Sequence, residues 1–185
     1  MTKATHTGTC QCCGATQKLP DGLLSLHGYT TKYGFFQGTC SGARSLPFEK
    51  SKDLIEEFIK AAQESIAENT AIAEELESRS TGKAWHQKYR SHRECEYGQK
   101  SGYYWIEEPI MEHTREDGFK SLRFESEMDN KRAPAIYEKT IEEATLACNK
   151  RYAQKYRKMI AQAEQYIIWQ KDRIANWKPQ ELTPV

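Results

Sequence analysis

Cys10, Cys13, His27 and Cys40 are the residues whose types and spacing could do chemistry. A Cys-x2-Cys pair aims two sulfurs at one ion from a tight turn. Three thiolates and one imidazole then make a closed tetrahedral donor set for zinc. A closed set leaves no position for substrate, so the expected cofactor is one structural zinc per chain. One histidine among three cysteines favours zinc over iron. Cys12 competes with Cys13, as a Cys-x-Cys arrangement; Gly14 lets the turn close after Cys13 and favours Cys13. His86, His92, Cys95 and His113 form a second set, in which only the His92-x2-Cys95 spacing suggests a metal.

Other chemistry is sparse. No glycine-rich phosphate loop, serine nucleophile elbow or zinc-protease helix motif occurs. Glu107, Glu108 and Glu112 have acid–base potential, and solvated strand positions explain them equally well. No catalytic residue and no organic-cofactor site is expected, and an enzyme with its site in the central segment is the least favoured reading. Lys18, Tyr29, Lys32, Tyr33 and Arg44 lie on turns around the metal ligands with no apolar stripe to join. Loop Tyr and Arg residues on a rigid scaffold dominate binding hot spots, so these five form the candidate partner-binding face.

The elements must position these groups. The 185 residues are 38% hydrophobic and 29% charged, which excludes collagen-like, mucin-like and wholly disordered chains. A net charge of +1 excludes bulk attraction to nucleic acid or to an anionic membrane. No stretch approaches the ~20 apolar residues of a membrane span. The start, MTKATHT, lacks the apolar core of a signal peptide. The expected location is therefore the cytoplasm, where thiols stay reduced and clustered cysteines point to a metal.

Residues 1–48 are turn-rich and too small to fold on apolar burial alone, which suits a zinc-binding module. Residues 49–185 read as a helical hairpin. Its first helix, 51–80, opens on Ser51 and carries a seam at Ile55, Ile59, Ala62, Ile66, Asn69, Ala73 and Leu76. Its second, 134–177, opens on Pro134 and stops before Pro179. Pairing the two antiparallel sets Glu56 and Glu64 opposite Arg157 and Asn149. The run from Lys150 to Lys158 interleaves cations with Tyr152 and Tyr156. It reads as a core face whose charges pair across the hairpin, in preference to a nucleic-acid patch. Residues 83–132 form a β-rich insertion at the hairpin tip, with a β-hairpin or a small sheet over 103–124 in which Pro109 marks an edge or an end. The fold class is α+β: a zinc-stabilised β/loop module on a long antiparallel helical hairpin, monomeric or dimeric through the helices.

The pattern Cys10-x2-Cys13, Gln17, His27-Gly28-Tyr29, Gly38-x-Cys40, Gly42, Pro47 and Glu49 resembles a group of small proteins carried by bacteriophages, plasmids and bacterial genomes. The ending Arg173-Ile174-x2-Trp177-Lys178-Pro179 is similar too. Cys12 departs from the group, which has a non-cysteine residue there. The resemblance implies a mobile-element setting and no particular activity. In that setting the expected function is binding of a host or defence-system protein, of anti-defence or host-takeover type, in the host cytoplasm. A nucleic-acid-binding regulator working through the zinc module is the alternative.

Overall fold

The computed structural model describes residues 3–30, 36–97, 99–116, 118–128 and 135–185. It is α+β, with two helices, α1 (Asp53–Ser78) and α2 (Ile141–Ala175), and small antiparallel sheets. The chain divides into two compact units, Met1–Ser65 with Gln162–Val185, and Ile66–Ala161. Among the described residues, no helix is long and apolar enough to cross a membrane.

In the first unit, β1 (His6–Thr9) pairs with β2 (Thr16–Lys18) on one edge and with β8 (Thr183–Pro184) on the other. A second ribbon joins β3 (Gly28–Thr30) to β4 (Phe36–Thr39). The core is Cys10, Cys12, Leu19, Leu24 and Cys40, with Phe58 and Leu182 against it. Sulfur supplies three of the five buried members, so burial alone stabilises this unit weakly. Helix α1 starts where Ser51 Oγ accepts the Asp53 N–H (3.1 Å) and buried Gln11 Oε1 accepts the Leu54 N–H (3.1 Å). The expected boundary at 48/49 falls inside this unit. The Phe48 N–H donates to Thr9 O (2.8 Å) and the Gln180 N–H to Glu49 O (2.9 Å), tying both flanks to the same body.

In the second unit, β5 (Lys83–Arg90), β6 (Gly102–Thr114) and β7 (Lys120–Phe124) form an antiparallel meander. β6 is the central strand, and Pro109 neither ends it nor lies at an edge. Residues 102–109 pair with β5 and residues 110–114 with β7, so Pro109 sits where the partner changes and its missing N–H disrupts neither ladder's interior. Ala84, Ile110, Leu122 and Phe124 pack on Ala144 and Cys148 of α2. Buried Asn149 accepts the Trp85 N–H at Oδ1 (3.1 Å) and donates to Arg79 O from Nδ2 (3.1 Å).

Helix α2 begins at Ile141, later than expected; Pro134 lies outside the described residues. Ile136 bridges to Leu122, its N–H 3.0 Å from Leu122 O, which keeps that stretch extended. Thr140 Oγ1 then accepts the Glu143 N–H (3.1 Å) and starts the helix. The expected register is also corrected: Arg157 pairs with Glu77, not with Glu56 (Nη2 to Oε2 2.6 Å).

Candidate metal centre

Two chain reversals supply the donors. After β1, the Gly14 N–H donates to Cys10 O (3.0 Å) and the Cys10 N–H to Ala15 O (2.9 Å). Gly14 closes that turn at φ +73°. After β4, the Ala43 N–H donates to Cys40 O (3.0 Å), and Arg44 follows at φ +60°. Gly14 and Arg44 hold the same place, four residues beyond Cys10 and Cys40 (14 − 10 = 44 − 40). Ala43 therefore stands where the first turn has Cys13, and the second turn yields one sulfur. His27 completes the set, held beside it by the Cys40 N–H to His27 O bond (2.8 Å).

The Sγ atoms of Cys10, Cys13 and Cys40 and a ring nitrogen of His27 lie within 4.8 Å of one another. Cys10 Sγ is 3.9 Å from Cys40 Sγ, and Cys13 Sγ is 3.5 Å from His27 Nε2. A tetrahedron with zinc–sulfur and zinc–nitrogen bonds of about 2.3 and 2.05 Å has sulfur–sulfur and sulfur–nitrogen edges of about 3.8 and 3.5 Å. His27 Nδ1 lies 2.9 Å from Ser25 O, which orients the ring with Nε2 toward the sulfurs. These four residues can hold a metal ion, and the structure brings together every ligand expected from the sequence, with Cys13 in place of Cys12. No other such cluster occurs among the described residues, so His86, His92, Cys95 and His113 are not gathered.

Burial pushes the Cys10 thiol up to about 12 and the Cys40 thiol up to about 11, against backbone amides that favour the thiolates. Those amides belong to Cys12 and Cys13 for Cys10, and to Gly42 for Cys40. Without a cation these two thiols rest protonated, and a metal ion among the sulfurs would stabilise the thiolates against burial.

The end of α2 clamps the first turn from outside. Tyr166 Oη donates to Cys12 O (3.2 Å), and Gln170 Nε2 donates to Gln11 O and Cys12 O (3.1 Å each). Arg173 donates to Gln11 O (2.7 Å) and Cys10 O (3.1 Å). Its guanidinium lies between the rings of Phe48 (4.3 Å) and Trp169 (4.5 Å). A dication with three thiolates carries one net negative charge, and Arg173 is the cation placed to offset it. Gln11 and Gln170, nearly fully buried, were not expected as site residues. An apolar cavity of about 580 Å³ borders the centre, lined by Cys12, Cys13, Phe58, Ala62, Tyr166 and Trp169 among others.

Of the candidate partner-binding residues, Lys18 and Arg44 are exposed; Tyr29 lies on β3. Lys32 and Tyr33 fall outside the described residues. The Arg44 N–H donates to Leu24 O (2.9 Å) and the Ser25 N–H to Lys18 O (2.9 Å), so both cations border one short segment. Exposed Leu23 and Leu26 flank that segment and exposed Leu46 lies two residues beyond Arg44; these three were not expected as site residues. No family model matches the chain, and no curated protein and no solved structure matches it.

Proposed function

We propose that this chain is a binding protein in which a structural zinc holds a partner-docking surface, and that in a mobile-element setting the partner is a host or defence-system protein. Three soft thiolates and one imidazole suit zinc, and four protein donors leave it no vacant position for chemistry.

Arg44 carries the reading. A non-glycine residue at φ +60° costs about 1 kcal/mol, and glycine occupies the matching place in the first turn. Strain kept at an exposed arginine is explained by what its side chain does. The Arg44 backbone and that of Lys18 are hydrogen-bonded to the Leu24–Ser25 segment that exposed Leu23 and Leu26 flank, and cations with exposed leucines suit an apolar partner surface with acidic residues. A photo-crosslinker at Leu26, used in host lysate, tests this. Arg44→Gly is expected to keep the metal and full stability while losing the crosslinked partner. An unchanged adduct in Arg44→Gly and Lys18→Glu would sink the assignment.

A further inference from the structure

Tyr89 and Tyr103 face each other across the β5–β6 ladder, with ring centroids 5.2 Å apart and interplanar angle 66°. They are 57% and 74% exposed and fill no core. Same-face residues on a strand are two apart, so Trp105 follows Tyr103. The Trp105 ring lies 4.7 Å from that of Tyr152, which lies 5.5 Å from that of Tyr156. The rings thus run in one row, from solvent into the second unit.

Cations run beside that row. Lys155 Nζ lies 5.5 and 5.7 Å from the Tyr152 and Tyr156 ring centroids. Arg151, Lys155 and Lys158 are exposed and stand at i, i+4 and i+7, one stripe of α2. Glu107, two residues beyond Trp105 on β6, is paired with Arg79, and Arg157 is occupied by Glu77. Tyr152 and Arg157 therefore serve the core and an internal pair, while Arg151, Lys155 and Lys158 form no ion pair with an acid among the described residues, and Lys155 lies over the two ring faces.

We propose that this face of the second unit binds single-stranded nucleic acid. Tyr89 and Tyr103 stack unpaired bases, and Arg151, Lys155 and Lys158 take backbone phosphates. Exposed rings on a sheet need open base faces, which a single strand offers and a duplex hides. Stacking tolerates any base, so the expected binding is sequence-tolerant. This inference concerns a different surface from the metal module and stands independently of the proposed protein partner.

Fluorescence anisotropy with labelled oligo-dT and oligo-U of about 20 nucleotides, and a duplex of equal length, tests it at low salt. Single strands are expected to bind more tightly than duplex. Three phosphate contacts should give a slope of log K against log salt near −2, at about −0.7 per contact for single strands. Tyr89→Ala or Tyr103→Ala should each weaken binding by about 5- to 100-fold, whereas Tyr103→Phe keeps it, because the ring and not the hydroxyl stacks. Lys155→Gln with Lys158→Gln should flatten the slope. Absence of binding, preference for duplex, or unchanged affinity in both alanine variants overturns the proposal. If a variant loses its far-UV dichroism, photocrosslinking of the wild-type chain to bromouracil-substituted strand decides. Adducts at Tyr89 or Tyr103 are then required, and adducts confined elsewhere overturn it.

Discussion

Gly42 lies against Cys10 so closely that a methyl group at position 42 would overlap the Cys10 sulfur and stand 3.1 Å from Cys12 Cβ. The second turn thus leaves hydrogen where the first places its buried thiol. Gly42→Ala is expected to displace Cys10 Sγ and weaken zinc binding about 10- to 100-fold, as loss of metal-supporting contacts does. Gly22 is the control. It sits at φ +79° with nothing within 4 Å, so Gly22→Ala should cost only about 1 kcal/mol of backbone strain and leave metal affinity unchanged. Competition with a chromophoric chelator reads both.

Zinc uptake should release protons in a defined minimum number. Burial holds the Cys10 and Cys40 thiols at about 12 and about 11, so both are protonated in the metal-free chain at pH 8. Binding must deprotonate them, and affinity must fall as pH is lowered. Titration calorimetry in buffers of different ionisation enthalpy is expected to show at least two protons released per zinc. One equivalent should bind per chain; Cys10→Ser and Cys40→Ser should lose it, and Cys12→Ser should retain it. Release of fewer than two protons would contradict the ligand assignment.

The candidate ligands are legible in the sequence because the Cys10-x2-Cys13 spacing is local, and short strands separate that pair from His27 and His27 from Cys40. Their support is not. Gln170 contacts Gln11 across 159 residues, and its place in the period of the second helix's buried stripe tells that it faces inward without telling what it bonds. β8 is two residues long and pairs with β1 from the far end of the chain, so no local signal marks it. β5 escapes because His86, a buried inward position, is polar and obscures the two-residue alternation. Pro109 misleads because its place depends on β6 changing partners midway, which is a tertiary fact. The two helices are visible as periodic segments, but their ends follow from contacts such as Gln11 to Leu54 and Ile136 to Leu122.

The His86–Glu108 pair should make the second unit acid-sensitive. Burial raises the Glu108 carboxyl, but hydrogen bonds from His86 Nε2, Ser126 Oγ and the Ser126 N–H outweigh it and hold the group below its ordinary range. A folded value below the unfolded one stabilises above the unfolded pKa of about 4.3, and that contribution is lost as pH falls through the folded value. Glu108→Gln is expected to lose about 2 kcal/mol at neutral pH, because one of the two buried acceptor oxygens that His86 and Ser126 use becomes a donor. Its stability should also change less than that of the wild type between about pH 4.5 and pH 3. Urea unfolding followed by tryptophan fluorescence, repeated across that range, measures both effects. Parallel pH profiles for the two proteins would remove Glu108 from the account.

The clamp on the first turn makes a graded prediction. Gln170 is fully buried and donates to two main-chain carbonyls, whereas Tyr166 donates to one of the same pair. Gln170→Ala removes one of the two donors from each carbonyl, leaving Arg173 on Gln11 O and Tyr166 on Cys12 O, and should cost about 2 kcal/mol, while Tyr166→Phe should cost about 1 kcal/mol. These carbonyls belong to the turn that carries Cys10 and Cys13, so loosening them frees the sulfurs to leave the ion. Zinc loss to excess chelator should therefore quicken in the same order, Gln170→Ala above Tyr166→Phe above wild type. Exposed Lys171, one residue along α2, is the control: among the described residues it bonds no carbonyl of the turn, and Lys171→Ala should release zinc at the wild-type rate. Equal release rates for Gln170→Ala and wild type, with the stability loss present, would show that α2 supports the unit without acting on the metal.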